Sequence, residues 1–205
     1  AAMSNATHRR IQRECKEVVT DAELIDNGIT ISFLSDSSFS HIHAEIRGPP
    51  DTPYAGGRFL LDVKFPDNYP FKALQAQFIT KVWHPNVSSV TGLICLDILK
   101  DKWVATLSLR TVLLSIQQLL ACPEPSDPQD AVVAGQYMDD RQLYDKCARF
   151  WTIYFASGKG DKDPEMTRMV KELLNSTTNR SEESCVVALS NHKWDIGAAT
   201  RFLVQ

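Results

Sequence analysis

The sequence predicts an α+β fold: a four-stranded antiparallel meander flanked by helices, with a small three-helix bundle toward the C-terminal end. Three observations lead there. Short β-rich runs follow one another between positions 29 and 79, parted by polar, Gly- and Pro-bearing breaks that hold no crossover helix. Apolar residues recur at helical spacing on both sides of that region. The polar stretch Ser157-Gly-Lys-Gly-Asp-Lys-Asp163 reads as a linker, dividing the chain into units at 1–156 and 164–205.

Residues 5–20 set Ile11, Cys15, Val18 and Val19 on one helical stripe. Arg9, Arg10, Arg13 and Lys16 lie opposite, open either to solvent or to a partner. The strands are Ile29–Phe33, His41–Ile46, Phe59–Phe65 and Leu74–Ile79, rich in β-branched and aromatic residues and in part alternating. Ser35-Asp-Ser-Ser38 breaks the first pair, and the Gly- and Pro-dense run Gly48–Gly57 breaks the second. From Thr106 to Ala121 the helical period returns, with Leu109, Val112, Leu113, Ile116, Leu119 and Leu120 forming a wide apolar stripe. Its other side, Ser108, Thr111, Ser115 and Gln118, is uncharged, which suits either plain solvation or a docked protein.

Pro123, Pro125 and Pro128 end that helix. Helices near 129–138 and 140–155 follow, the second carrying Leu143, Cys147, Phe150, Trp151 and Tyr154 on one side. Asp163-Pro164 pairs an N-cap with a proline at the first helical position. It opens three short helices at 164–175, 181–190 and 195–204, the last two capped by Ser181 and Asp195. Trp194 with Ala199 forms a staple, and Ile196, Ala199 and Leu203 form the buried stripe of the last helix. A tail this short is marginal alone, so it either leans on the first unit or packs compactly.

Composition narrows the function classes. The 205 residues are 43% hydrophobic and carry a net charge of −3, which argues against disorder and against a nucleic-acid or membrane surface. No apolar run approaches the ~20 residues of a spanning helix, and no signal-peptide pattern opens the sequence. Ala1-Ala2 ahead of Met3 reads as an expression remnant. Five widely spaced cysteines, with no CxxC pair, favour neither a disulfide framework nor a zinc site, and the four Asn-x-Ser/Thr sequons read as chance matches. A reduced cytoplasmic or nuclear environment is expected.

The chemistry centres on Lys81–Trp103, which holds His84-Pro85-Asn86, a polar loop ending at Gly92, and Leu93-Ile94-Cys95-Leu96. Taken alone, Cys95 is either a small buried hydrophobe or a nucleophile. No cation adjoins it in sequence, and His84 offers a base for a cysteine-hydrolase reading.

The stretch resembles the catalytic signature of the ubiquitin-conjugating enzymes. Gly48–Gly57, Tyr69-Pro-Phe71, Trp103 and Pro125-Ser-Asp-Pro128 stand around it in the family's order, so the resemblance covers about residues 5–155. The long loop before Cys95, Asp130-Ala-Val-Val133 and the tail resemble members that end in a ubiquitin-associated (UBA) domain. The resemblance implies the ubiquitin-conjugating (UBC) fold and a thioester on Cys95. It makes Asn86 a loop anchor or oxyanion donor, Asp127 the residue that orients the incoming lysine, and His84 and Pro85 structural neighbours of the site. It implies docking surfaces at Arg9, Arg10 and Arg13, at Phe71, Trp103 and Ala105, and at Ser108, Thr111, Ser115 and Gln118. The implied partners are ubiquitin, its activating enzyme, RING- or HECT-type ligases and substrate proteins, with the chain a monomer needing no cofactor or metal. Ubiquitin chains of the lysine-48-linked type are what UBA-bearing relatives suggest.

Three departures stand out. Phe71 is followed by Lys-Ala where the family usually has two prolines, and Ser126 replaces the first of two common acids. In the tail, polar Ser176–Arg180 stands where UBA domains carry Met-Gly-Phe, leaving Phe202 and Leu203 as the expected ubiquitin patch. The tail is therefore expected to fold as a UBA-like bundle that binds ubiquitin weakly or not at all. The competing readings are a noncatalytic ubiquitin-binding scaffold and a conjugating enzyme for another modifier.

Overall fold

A computed structural model describes residues 3–35 and 38–204. The expected break at Ser35–Ser38 falls partly outside the described residues, as do Ala1 and Ala2. Helix α1 (Asn5–Thr20) starts at Ser4, whose hydroxyl accepts from the Thr7 N–H. A short α2 (Ala22–Asp26), capped by Asp21, then turns the chain into the sheet. Strands β1 (Thr30–Phe33), β2 (His41–Arg47), β3 (Arg58–Lys64) and β4 (Gln75–Phe78) pair in sequence order, all antiparallel.

Alternation decides the faces. Ile42, Ala44 and Ile46 of β2 and Phe59, Leu61 and Val63 of β3 point inward, beneath α1 and α3 (Leu109–Ala121). Ser108 caps α3, and all six residues of its predicted stripe are buried. After the proline-rich turn come α4 (Ala131–Asp139) and α5 (Arg141–Phe155), then α6 (Pro164–Ser176), α7 (Glu182–Asn191) and α8 (Ile196–Val204). No helix among the described residues is long and apolar enough to cross a membrane.

Helix α7 and the turn that follows it meet α5, and α6, α7 and α8 pack on one another. The indole N–H of Trp151 donates to Ser190 Oγ at 2.8 Å, and the rings of Phe150 and Trp194 meet edge to face with centroids 5.3 Å apart. Lys162 lies over the Tyr154 ring at 4.3 Å, so the polar stretch before α6 is itself held to α5. Apolar side chains of α5, α6, α7 and α8 join the sheet residues in one contiguous core.

Several expectations need correcting. Val19 is exposed, and Leu24 of the unforeseen α2 takes its place in the core. Arg10 is not on an open basic face. It turns inward, donating from Nε to Glu14 at 2.7 Å and from Nη2 to the Leu107 carbonyl at 2.9 Å, while Arg9 and Arg13 stay exposed. Glu14 is buried and accepts in addition from the Tyr69 hydroxyl at 2.6 Å and the Leu109 N–H at 2.8 Å. Leu203 belongs to the core rather than to a surface patch, whereas Phe202 and Val204 are exposed. Leu203 lies one turn beyond buried Ala199 on the core side of α8, while Phe202 and Val204, each rotated by about 100° from it, fall on the solvent side.

Candidate active site

The site is assembled on the buried segment Trp83–Asn86. The His84 ring is fully enclosed, its Nε2–H donating to the Leu119 carbonyl of α3 at 2.9 Å while Nδ1 accepts from the Asn86 N–H at 3.0 Å. Burial pushes its pKa down to about 4, against a weaker upward pull from the Leu119 bond. A neutral ring with both nitrogens occupied has no capacity to act as base for Cys95, which removes the geometry the hydrolase reading needs. The Pro85 carbonyl accepts from the N–H groups of Gln129 and Asp130 at 2.9 and 3.0 Å.

Asn86 is the next tether. Its Nδ2 donates to the carbonyls of Glu124 and Asp127 at 2.8 and 2.9 Å, and its Oδ1 accepts from the Glu124 N–H at 2.8 Å. Both amide hydrogens are thereby committed to the loop that carries Asp127. The Asn86 carbonyl also accepts from the Cys95 N–H at 2.8 Å, so one residue positions both sides of the site.

The loop before the cysteine is shaped at both ends. Asp130 caps α4 through the Val133 N–H and also accepts from Ser89 N–H and Oγ at 3.1 and 2.6 Å. Gly92 has φ +77°, and a Cβ there would meet the Phe78 carbonyl oxygen at 2.0 Å, so only glycine fits this approach to β4.

Cys95 is half-buried, and its thiol lies between two charged groups. It donates to Asp127 Oδ2 at 3.4 Å and accepts from Lys100 Nζ at 3.3 Å. Lys100 was missed in the sequence. A 3₁₀ turn at Asp97–Leu99 folds it back onto the sulfur, and three residues are too few for periodicity to register. The other cysteines differ. Burial pushes the thiols of Cys15 and Cys147 up to about 12 and raises that of Cys185, and exposed Cys122 accepts from the Gln118 amide at 3.1 Å.

The remaining expected surfaces lie around this centre. Phe71 is 84% exposed and lines a groove with Trp103, Leu99 and Lys100, so that groove runs up to the lysine that touches Cys95. The Trp103 indole donates to the Pro70 carbonyl at 2.7 Å, holding the turn that bears Phe71, and Ala105 is half-buried beside exposed Val104. Ser115 and Gln118 line a second groove with Arg47 and Pro49. Ser108 accepts from the Thr111 N–H, so its hydroxyl serves the helix terminus. The acid missing at Ser126 has a neighbour in Glu124, whose carboxylate accepts from the Ser126 hydroxyl.

The family model described as "Ubiquitin-conjugating enzyme" matches residues 10–152. The human protein "Ubiquitin-conjugating enzyme E2 K" is 48% identical over 203 residues, covering 99% of this chain and 100% of that protein. "Ubiquitin-conjugating enzyme E2 21" of Caenorhabditis elegans is 45% identical over 98% of this chain and 92% of its own length. Among solved structures, a putative ubiquitin conjugating enzyme from Plasmodium yoelii superposes with a TM-score of 0.70 at 43% identity, over 77% of this chain and 99% of that one. With an accessible cysteine seated on this fold and relatives matched nearly end to end, the chain belongs to the ubiquitin-conjugating enzyme family.

Proposed function

We infer that the chain forms a thioester with ubiquitin and passes ubiquitin to lysine, and that Cys95 is the residue that does so. One observation carries the assignment to Cys95: a half-exposed thiol placed within 3.4 Å of both Asp127 and Lys100, on a loop anchored by Asn86. In the first step the Cys95 thiolate attacks the carbonyl of the thioester on the activating enzyme. A new C–S bond forms and the enzyme's thiolate leaves. In the second, the neutral amine of an acceptor lysine attacks the same carbonyl, the C–N bond forms, and Cys95 leaves as thiolate. The attacking nitrogen must lose a proton, and the Asp127 carboxylate stands 3.4 Å from the sulfur to accept it. Asn86 acts here as a positioning residue, since its amide already spans the Glu124–Asp127 loop.

The surfaces follow. Arg9 and Arg13 face the activating enzyme and ligases, Phe71 with Trp103 and Val104 forms the ligase patch, and the Ser115–Gln118 side of α3 receives donor ubiquitin. The tail is read as a UBA-like bundle with Phe202 and Val204 outward. Building of lysine-48-linked ubiquitin chains is proposed on the resemblance to UBA-bearing members of the family, and a cytoplasmic setting on the absence of cysteine pairing in the sequence.

The test is direct. Incubated with activating enzyme, ATP and ubiquitin, the chain is expected to yield an adduct cleaved by thiol on a non-reducing gel. Cys95→Ser gives a thiol-stable, hydroxide-labile adduct instead. An unaltered thiol-labile band in Cys95→Ser would assign the chemistry to another cysteine. Charging with a different modifier but not ubiquitin would redirect the substrate.

A further inference from the structure

The outer face of the sheet holds a cluster that the conjugation chemistry does not use. On β2, the alternation that sends Ile42 and Ala44 into the core sends His41 and His43 outward together. The register of β3 sets Asp62 directly across from His43 and Lys64 across from His41. One ligand atom from each of His41, His43 and Asp62 lies within 4.8 Å of the others. Both histidines address the same carboxylate oxygen, Asp62 Oδ1. His41 Nε2 is hydrogen-bonded to it and His43 Nε2 stands 3.7 Å away.

We propose that His41, His43 and Asp62 form a binding site for a divalent transition metal of the zinc class. Two imidazoles and a carboxylate suit zinc, copper or nickel, whereas magnesium and calcium favour oxygen ligands throughout. Such ions take nitrogen and oxygen ligands at about 2.0–2.2 Å, so binding requires the three side chains to turn their ligand atoms toward one shared point. The three side chains are partly exposed, so the open fourth position is left to water.

Lys64 Nζ sits on Asp62 Oδ2 at 2.9 Å, leaving Oδ1 to face the histidines. Its positive charge opposes an incoming dication, and replacing it should tighten binding. The expectation of no metal weighed cysteine spacing, and this arrangement exists only across two paired strands.

The experiment uses the reduced full chain and zinc chloride alone, with isothermal titration read alongside the histidine ring resonances in NMR. One equivalent is expected to bind and to shift the rings of His41 and His43. His43→Ala and Asp62→Asn should each weaken binding by at least about 10-fold, since even outer-shell changes cost that much. Lys64→Met should strengthen it. Replacing the two accessible thiols, Cys95→Ser with Cys122→Ser, should leave it intact. The proposal is overturned if no saturable binding occurs, if binding vanishes with the thiols, or if the ring resonances stay still while zinc binds. Undiminished affinity in His43→Ala and Asp62→Asn overturns it equally.

Discussion

Both nitrogens of His84 are engaged inside the protein, so its protonation becomes a matter of stability rather than of catalysis. The group's ordinary value is 6.5, and burial pushes it down to about 4. An unfolded chain takes up a proton here below about pH 6.5, whereas the fold withholds it until about pH 4. The contribution is therefore fully present above that upper value and is lost as pH falls through the interval, by about 3 kcal/mol from this residue. Urea unfolding followed from about pH 7 down to about pH 4 should show this slope, and His84→Gln, though less stable, should show a flatter one. An unchanged slope would mean the ring titrates alike in both states. Glu14 is likewise enclosed by its hydrogen-bond partners. Three donors converge on its buried carboxylate, and no sequence pattern separates such a glutamate from a solvated one.

At the scale of elements, the loop Glu124–Asp130 matters more than any helix. It is tied to Asn86 by three hydrogen bonds, to Pro85 by two, and to the pre-cysteine loop through Asp130 and Ser89. If Asn86 works by holding Asp127 in place, Asn86→Ala and Asp127→Ala should each charge normally and slow transfer to lysine by about 10²-fold. The double variant should then be no slower than the slower single variant, because the two act in series. Single-turnover discharge to free lysine measures this, and multiplying losses would instead give Asn86 a direct role at the oxyanion. Motif order made Cys95, Asn86 and Asp127 legible as a group, and apolar period made the α3 stripe legible. Lys100 was not legible, because a short 3₁₀ turn reverses the chain without leaving a period. Nor was α2, whose five residues are too few to form a pattern.

Across the whole molecule, the seam between α5 and α7 decides how the chain behaves as a unit. The sheet, its order and the helices around it were readable from alternation, breaks and caps. The docking of the tail was not, since it depends on Trp151, Phe150 and Trp194 meeting over long separations. Because one core continues through that seam, unfolding is expected as a single transition by both tryptophan fluorescence and far-UV circular dichroism. Ser190→Ala strands the buried Trp151 N–H and should destabilise the whole chain by about 1–3 kcal/mol, shifting that one transition. Two separate transitions, with Ser190→Ala moving only one, would show the tail to be independent. A last consequence comes from Glu14. By binding groups on α1, on the Tyr69 turn and at the start of α3, it locks the rotation of α1 about its own axis. Arg9 and Arg13 are then carried at a fixed azimuth, so an acidic partner meets this face by electrostatic steering, without waiting for the helix to turn.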